Sequence, residues 1–125
     1  MPSAVRSYSI DARSTDVFGR VLCSAREHHF VVDGPVQNGC PGEELTPAEL
    51  FLAGVATCGV ELVHVFARQE ELPLERVTVS VQGEMDLDNP VREDVTVFNT
   101  VRVDFALAGV DGEQAGHLVE RFKGR

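Results

Sequence analysis

The chain has 125 residues, 43% of them apolar and 25% charged, which fits a single globular domain spanning residues 1–125. A formal net charge of -9, with no run of Lys or Arg, excludes nucleic acid and anionic membrane surfaces as expected partners. Three cysteines without a CxxC pair point to a reducing, cytoplasmic location and away from a secreted disulfide framework.

In chain order, "MPSAVRSYSI" lacks the apolar core of a signal peptide and alternates instead, which predicts a first strand at "VRSYSI", residues 5–10. "STDVFG" then turns. "RVLCSA" and "HHFVVD" are short β-type runs that end at Gly34-Pro35. Residues 34–46, "GPVQNGCPGEELT", hold three Gly and two Pro and read as a loop.

A helix start follows. Thr46 can serve as the N-cap, Pro47 stands at the favoured first helical position, and Glu49 completes a capping box. The pattern runs to about Glu70 and is stopped by Pro73. The apolar run from Leu50 to Phe66 includes Glu61 and His64 and is shorter than the about 20 residues a membrane span needs, so a buried soluble helix is expected. Being apolar almost all round, it should lie at the centre of an assembly.

"RVTVSVQGEM" places Val77, Val79 and Val81 on one face of a strand, and "DLDNP" is a turn. "DVTVFNTVRVDFAL" then sets Val95, Val97, Val101, Val103, Phe105 and Leu107 on one face of another, with Thr96, Thr100, Arg102 and Asp104 opposite. Two strands with one wet face predict antiparallel pairing. "DGEQAGHLVERFKGR" opens a second helix that buries Leu118, Val119 and Phe122. The order β-β-β-α-β-β-α is an α+β fold. One sheet of this size covers too little of the central helix, so a homodimer is expected.

Cys58 lies in the middle of that helix. A thiol reacts as the thiolate, and the helix N-terminus, more than ten residues away, is too far to lower its pKa. Thr57, Glu61, His64 and Arg68 form one polar stripe with Cys58 at its edge, and His64 lies too far round to pair with it. An activating cation from the strand region, Arg13, Arg20 or Arg26, fits better. The competing reading is a small apolar core residue, the usual role of a free cysteine. Spacing alone leaves both open.

"TPAELFLAGVATC", with its helical continuation and the V-x-V-x-V strand that follows, resembles the OsmC/Ohr family (osmotically inducible protein C and organic hydroperoxide resistance protein), and is closer to the OsmC-like branch. The resemblance implies an intertwined α+β homodimer, cysteine-based (thiol) peroxidase activity on organic hydroperoxides in the oxidative-stress response, and an unidentified thiol reductant as second partner. It makes Cys58 the peroxidatic cysteine, oxidised to a sulfenic acid. It also implies a thiolate-stabilising Arg from the N-terminal β region, matched by Arg20 or Arg13, and a Glu near the helix start that holds that Arg.

Two positions depart from the family pattern. Ala48 stands where the Ohr branch has Glu, and Glu49, one residue on, is better read as part of the capping box. Peroxide-reducing members place a second cysteine just after the second helix, about where this sequence reads "FKGR". Cys40, in the loop before the helix, is the candidate substitute, and Cys23 reads as structural. The alternative function is a non-catalytic OsmC-like dimer that binds a small apolar ligand.

His28 and His29 are adjacent in a strand and point to opposite faces, so they cannot share a metal. No zinc spacing, calcium loop, phosphate loop or dinucleotide fingerprint is present, and no cofactor or metal is expected.

Overall fold

A computed structural model describes residues 4–94 and 96–124. The elements are β1 (Asp11–Ser14), β2 (Arg20–Ala25), β3 (His28–Asp33), a 3-10 turn at Val36–Asn38, α1 (Pro47–Gln69), β4 (Arg76–Glu84), β5 (Thr100–Ala108) and α2 (Gly112–Lys123). This is the α+β order β-β-β-α-β-β-α, with antiparallel pairing in both sheets. Two compact units divide the chain, Met1–Leu50 and Phe51–Arg125.

The first unit is a meander. β1 pairs with β2 from Asp11↔Ser24 to Ser14↔Val21, and β2 pairs with β3 from Arg20↔Asp33 to Ala25↔His28. Gly19, at φ 79°, closes the first turn in a left-handed conformation that costs glycine nothing. The second turn is the two residues Arg26 and Glu27, with Arg26 at φ 57°. This geometry corrects the expected first strand. β2 ends at Ala25, so beyond Asp11 its register offers a strand partner to Ile10 at most. Residues 5–10 accordingly form no strand, and Val5, Tyr8 and Ile10 are exposed despite their alternation. Pleating puts Cys23 and Val32 on the buried face, 8% and 5% exposed.

α1 opens with the expected capping box. The Thr46 N–H and hydroxyl donate to Glu49 Oε1 at 3.0 and 2.9 Å, and the Glu49 N–H returns to Thr46 Oγ1 at 3.4 Å. Glu71 at φ 54° turns the chain after the last residue, and the Leu72 N–H reaches back to the Ala67 carbonyl.

In the second unit the core is built from Val63, Phe66, Ala67 and Leu118, with Val77, Phe105, Leu107 and Phe122 packed against them. The Phe105 ring lies on the bare backbone of Gly59 and meets Phe122 edge-on at 5.4 Å. α1 is long and apolar enough to cross a membrane by length and composition alone, the one such helix among the described residues. Here one stripe of it, Gly59, Val63, Phe66 and Ala67, is covered by protein. The rest of the helix is left uncovered in the single chain, as expected of one sheet of this size: Phe51, Thr57, Cys58, Glu61, His64, Val65 and Arg68 are exposed.

α2 starts on an Asp111–Gln114 capping box. It is fastened to the end of α1 by Arg121, whose Nη1 donates to Glu70 Oε2 at 2.7 Å and whose guanidinium sits 4.0 Å over the Phe66 ring. His117 Nε2 is 2.7 Å from the same Glu70 carboxylate, which Arg121 first and His117 second hold below the usual glutamate range.

β5 is shorter than the expected 94–107 strand. It begins at Thr100 because β4 ends at its partner Glu84. Before that, Asn99 ties the 85–99 segment together, accepting from the Asp86 N–H at 2.7 Å and donating to the Asn89 carbonyl at 2.7 Å. Phe98, and not Val97, turns inward, laying its ring on Gly83 and 5.5 Å from the Phe51 ring. Val95 lies outside the described residues. The alternation in β4 is as expected, with Val77, Val79 and Val81 on the covered face.

Candidate functional site

Arg20 opens β2 directly across from Asp33, the last residue of β3. Its Nε donates to Asp33 Oδ1 at 2.8 Å and its Nη2 to Oδ2 at 2.9 Å, a two-point ion pair. Nη2 also donates to Glu43 Oε1 at 3.1 Å. The Asp33 side chain is 0% exposed and that of Arg20 27%. Asp33 Oδ2 further accepts the backbone N–H groups of Glu43 and Glu44, each at 3.0 Å. A buried carboxylate needs this much donation to remain charged. Hydrogen bonding from Arg20, above all, holds Asp33 well below the usual carboxylate range, and the same bonds raise Arg20 above its own.

The loop after β3 is folded back onto this pair. The Gly34 N–H donates to the Gly19 carbonyl at 2.8 Å, that of Gly42 to the Gly34 carbonyl at 3.1 Å, and that of Asp33 to the Leu45 carbonyl at 3.0 Å. Cys40 plugs the notch between Gly19 and Gly34, where a β-carbon on either glycine would overlap its sulfur. A half-buried Cys40 held in this way packs as a small apolar side chain.

Among the three cysteines, Cys23 is buried on β2, Cys40 is half-buried in the loop, and Cys58 is exposed on α1. Cys58 owes this to its neighbour. Gly59 faces Phe105 and Val79, and the next residue back lies about 100° round the helix. Thr57 beside it folds its hydroxyl onto the Ala53 carbonyl at 2.8 Å, and Glu61 is exposed on the next turn.

Of the expected site residues, Arg20 is built into a buried ion pair, while Arg13 lies exposed on β1 opposite Leu22. Glu49 does not hold the Arg: as its capping-box reading expects, it is engaged by Thr46, which lowers its pKa, first through the backbone N–H and then through the hydroxyl. Asp33 and Glu43 hold Arg20 instead. Sequence reasoning missed both, although the apolar run Phe30, Val31, Val32 ends on the charge of Asp33, a signal for a paired buried group. His29 bonds Ser24 through Nδ1 at 2.8 Å, and no cluster able to hold a metal occurs among the described residues.

An exposed thiol can act as a nucleophile, and an oriented guanidinium can receive an anion. The fold is similar to that of an OsmC-like protein from Mycoplasma pneumoniae, at a TM-score of 0.80 and 13% identity, covering 96% of this chain and 82% of that one. It is similar also to an organic hydroperoxide resistance protein from Elizabethkingia anophelis, at 0.78 and 16%, covering 98% and 85%. A third similar structure is an organic hydroperoxide resistance protein OsmC from Legionella pneumophila, at 0.75 and 19%, covering 98% and 85%. No curated protein matches the chain. The family model described as OsmC-like protein matches residues 40–125, more than half of the sequence, and the chain therefore belongs to the OsmC-like family.

Proposed function

We propose that the protein is a cytoplasmic thiol peroxidase that reduces organic hydroperoxides, with Cys58 as the peroxidatic residue. The observation that carries this reading is the exposure of Cys58 beside the polar stripe of α1, when Cys23 is buried and Cys40 is wedged between glycines. The organic hydroperoxide resistance proteins among the similar structures support it.

In the reaction the Cys58 thiolate attacks the outer oxygen of the hydroperoxide. An S–O bond forms as the O–O bond breaks, the sulfur loses two electrons, and the departing alkoxide takes a proton to leave as an alcohol. An external thiol then condenses with the sulfenic acid, releasing water and leaving a mixed disulfide, and a second thiol frees Cys58. The apolar neighbours of Cys58 on α1, Phe51, Leu62 and Val65, favour alkyl hydroperoxides over hydrogen peroxide. The exposed apolar residues of α1 also support a homodimer, in which a second copy covers Phe51 and Val65, 57% and 40% exposed in the single chain.

A second reading, a non-catalytic dimer that binds a small apolar ligand, is favoured by the two carboxylates already engaging Arg20. Intact-mass spectrometry with peptide mapping, after brief exposure of the reduced protein to one equivalent of an organic hydroperoxide, separates the two. Oxygen gained at Cys58, and peroxide consumption lost in Cys58→Ser, are the expected results. Three reduced cysteines with the peroxide still present would overturn the peroxidase reading.

A further inference from the structure

A guanidinium carries five N–H donors, arranged along two edges that can each meet a carboxylate side-on. In Arg20 one edge, Nε with Nη2, is filled by Asp33, and the second, Nη1 with Nη2, is half-filled by Glu43. Nη1 has no hydrogen-bond partner among the described residues.

The two carboxylates differ in how firmly they are held. Asp33 is fully buried and receives two backbone N–H groups besides the guanidinium, so leaving would strand buried donors. Glu43 has a side chain 75% exposed, and its bond at 3.1 Å to Nη2 is the carboxylate's one hydrogen bond among the described residues. Its backbone N–H is pinned to Asp33, so the side chain can swing out while the loop stays in place. An exposed pair of this kind holds only weakly.

We infer that the Nη1–Nη2 edge of Arg20 is a binding site for a small monovalent carboxylate that takes the place of the Glu43 side chain, with Asp33 as the residue that positions the guanidinium. The incoming carboxylate gains both nitrogens where Glu43 uses one. The complex gains one negative charge, which the guanidinium offsets at contact distance while the displaced Glu43 side chain, 75% exposed, is screened by solvent. The inference stands independently of peroxide chemistry and of Cys58.

The test is an acetate titration of the full-length protein, followed through the arginine Nε–H signals in nitrogen-15 NMR, with the Arg20 signal assigned by its loss in Arg20→Lys. The Arg20 Nε–H is expected to exchange slowly, because Asp33 accepts it, and to move on addition of acetate but not of chloride at equal ionic strength. Glu43→Ala, at an exposed position, is expected to bind acetate about two- to fivefold more tightly, the effect of removing one exposed competing ion pair. Equal shifts with acetate and chloride, or no gain in affinity in Glu43→Ala, would overturn the site. An Arg20 Nε–H that exchanges as fast as those of the exposed arginines would overturn the positioning role of Asp33.

Discussion

Arg20 and Asp33 stand opposite each other at the ends of β2 and β3, and their side chains close an ion pair of 2.8 and 2.9 Å around a fully buried carboxylate. The same carboxylate takes the backbone of Glu43 and Glu44, so one side chain joins the hairpin to the loop that leads into α1. Arg20 is thereby fixed in direction before any ligand arrives, which lowers the ordering cost of binding an anion.

Asp33→Asn should keep the volume, lose the charge, and lower the thermal midpoint by several degrees. Because the folded protein depresses the Asp33 pKa, its contribution is complete above the unfolded aspartate value of about 3.9 and is lost as pH falls below it toward the folded value. Urea midpoints of parent and variant should therefore run parallel from about pH 5 to 8 and converge in stronger acid. A separation that persists unchanged into strong acid would show that the charge is not what stabilises the fold.

Arg121→Ala removes the guanidinium from the Phe66 ring and from Glu70, and should cost about 1 kcal/mol in urea unfolding. Arg121→Lys keeps the charge without the planar fork and should recover only part of the loss. Full recovery would assign the effect to charge alone.

Gly83→Ala would place a methyl about 2.6 Å from the Phe98 ring. The ring must move, with a loss of about 1–3 kcal/mol. In a double-mutant cycle with Phe98→Leu the two changes should be strongly non-additive, since the smaller side chain removes the overlap. Additive losses would mean that Phe98 does not lie on Gly83 in solution.

Native alkylation with a small maleimide, mapped by mass spectrometry, should label Cys58 first, Cys40 more slowly, and Cys23 only on unfolding. Labelling of Cys40 ahead of Cys58 would contradict the packing of its sulfur between Gly19 and Gly34.

Local chemistry made much of the fold legible. Strands 20–25 and 28–33, the alternation of β4 and the Thr46–Glu49 cap could be read directly, because each depends on residues within a few positions of one another. The first and fifth strands were misplaced for one shared reason. Residues 5–10 and 94–99 have β-type composition, but a strand needs a partner, and β2 and β4 run out at Ala25 and Glu84. In the candidate site, Cys58 and Arg20 could be named from the sequence as candidates. Asp33 and Glu43 could not, since the partners of Arg20 lie 13 and 23 residues away and meet it only when the hairpin closes and the loop folds back.

By itself, then, the sequence determined the class of fold, the limits of α1 and the kinds of side chain available for chemistry, because periodicity, capping and residue type are properties of short windows. Tertiary structure alone decided which side of α1 is covered, which cysteine is exposed and which acids hold Arg20. Those outcomes follow from Phe105 resting on Gly59, Cys40 filling the glycine notch, and Asp33 being carried opposite Arg20, contacts between residues that no local pattern brings together.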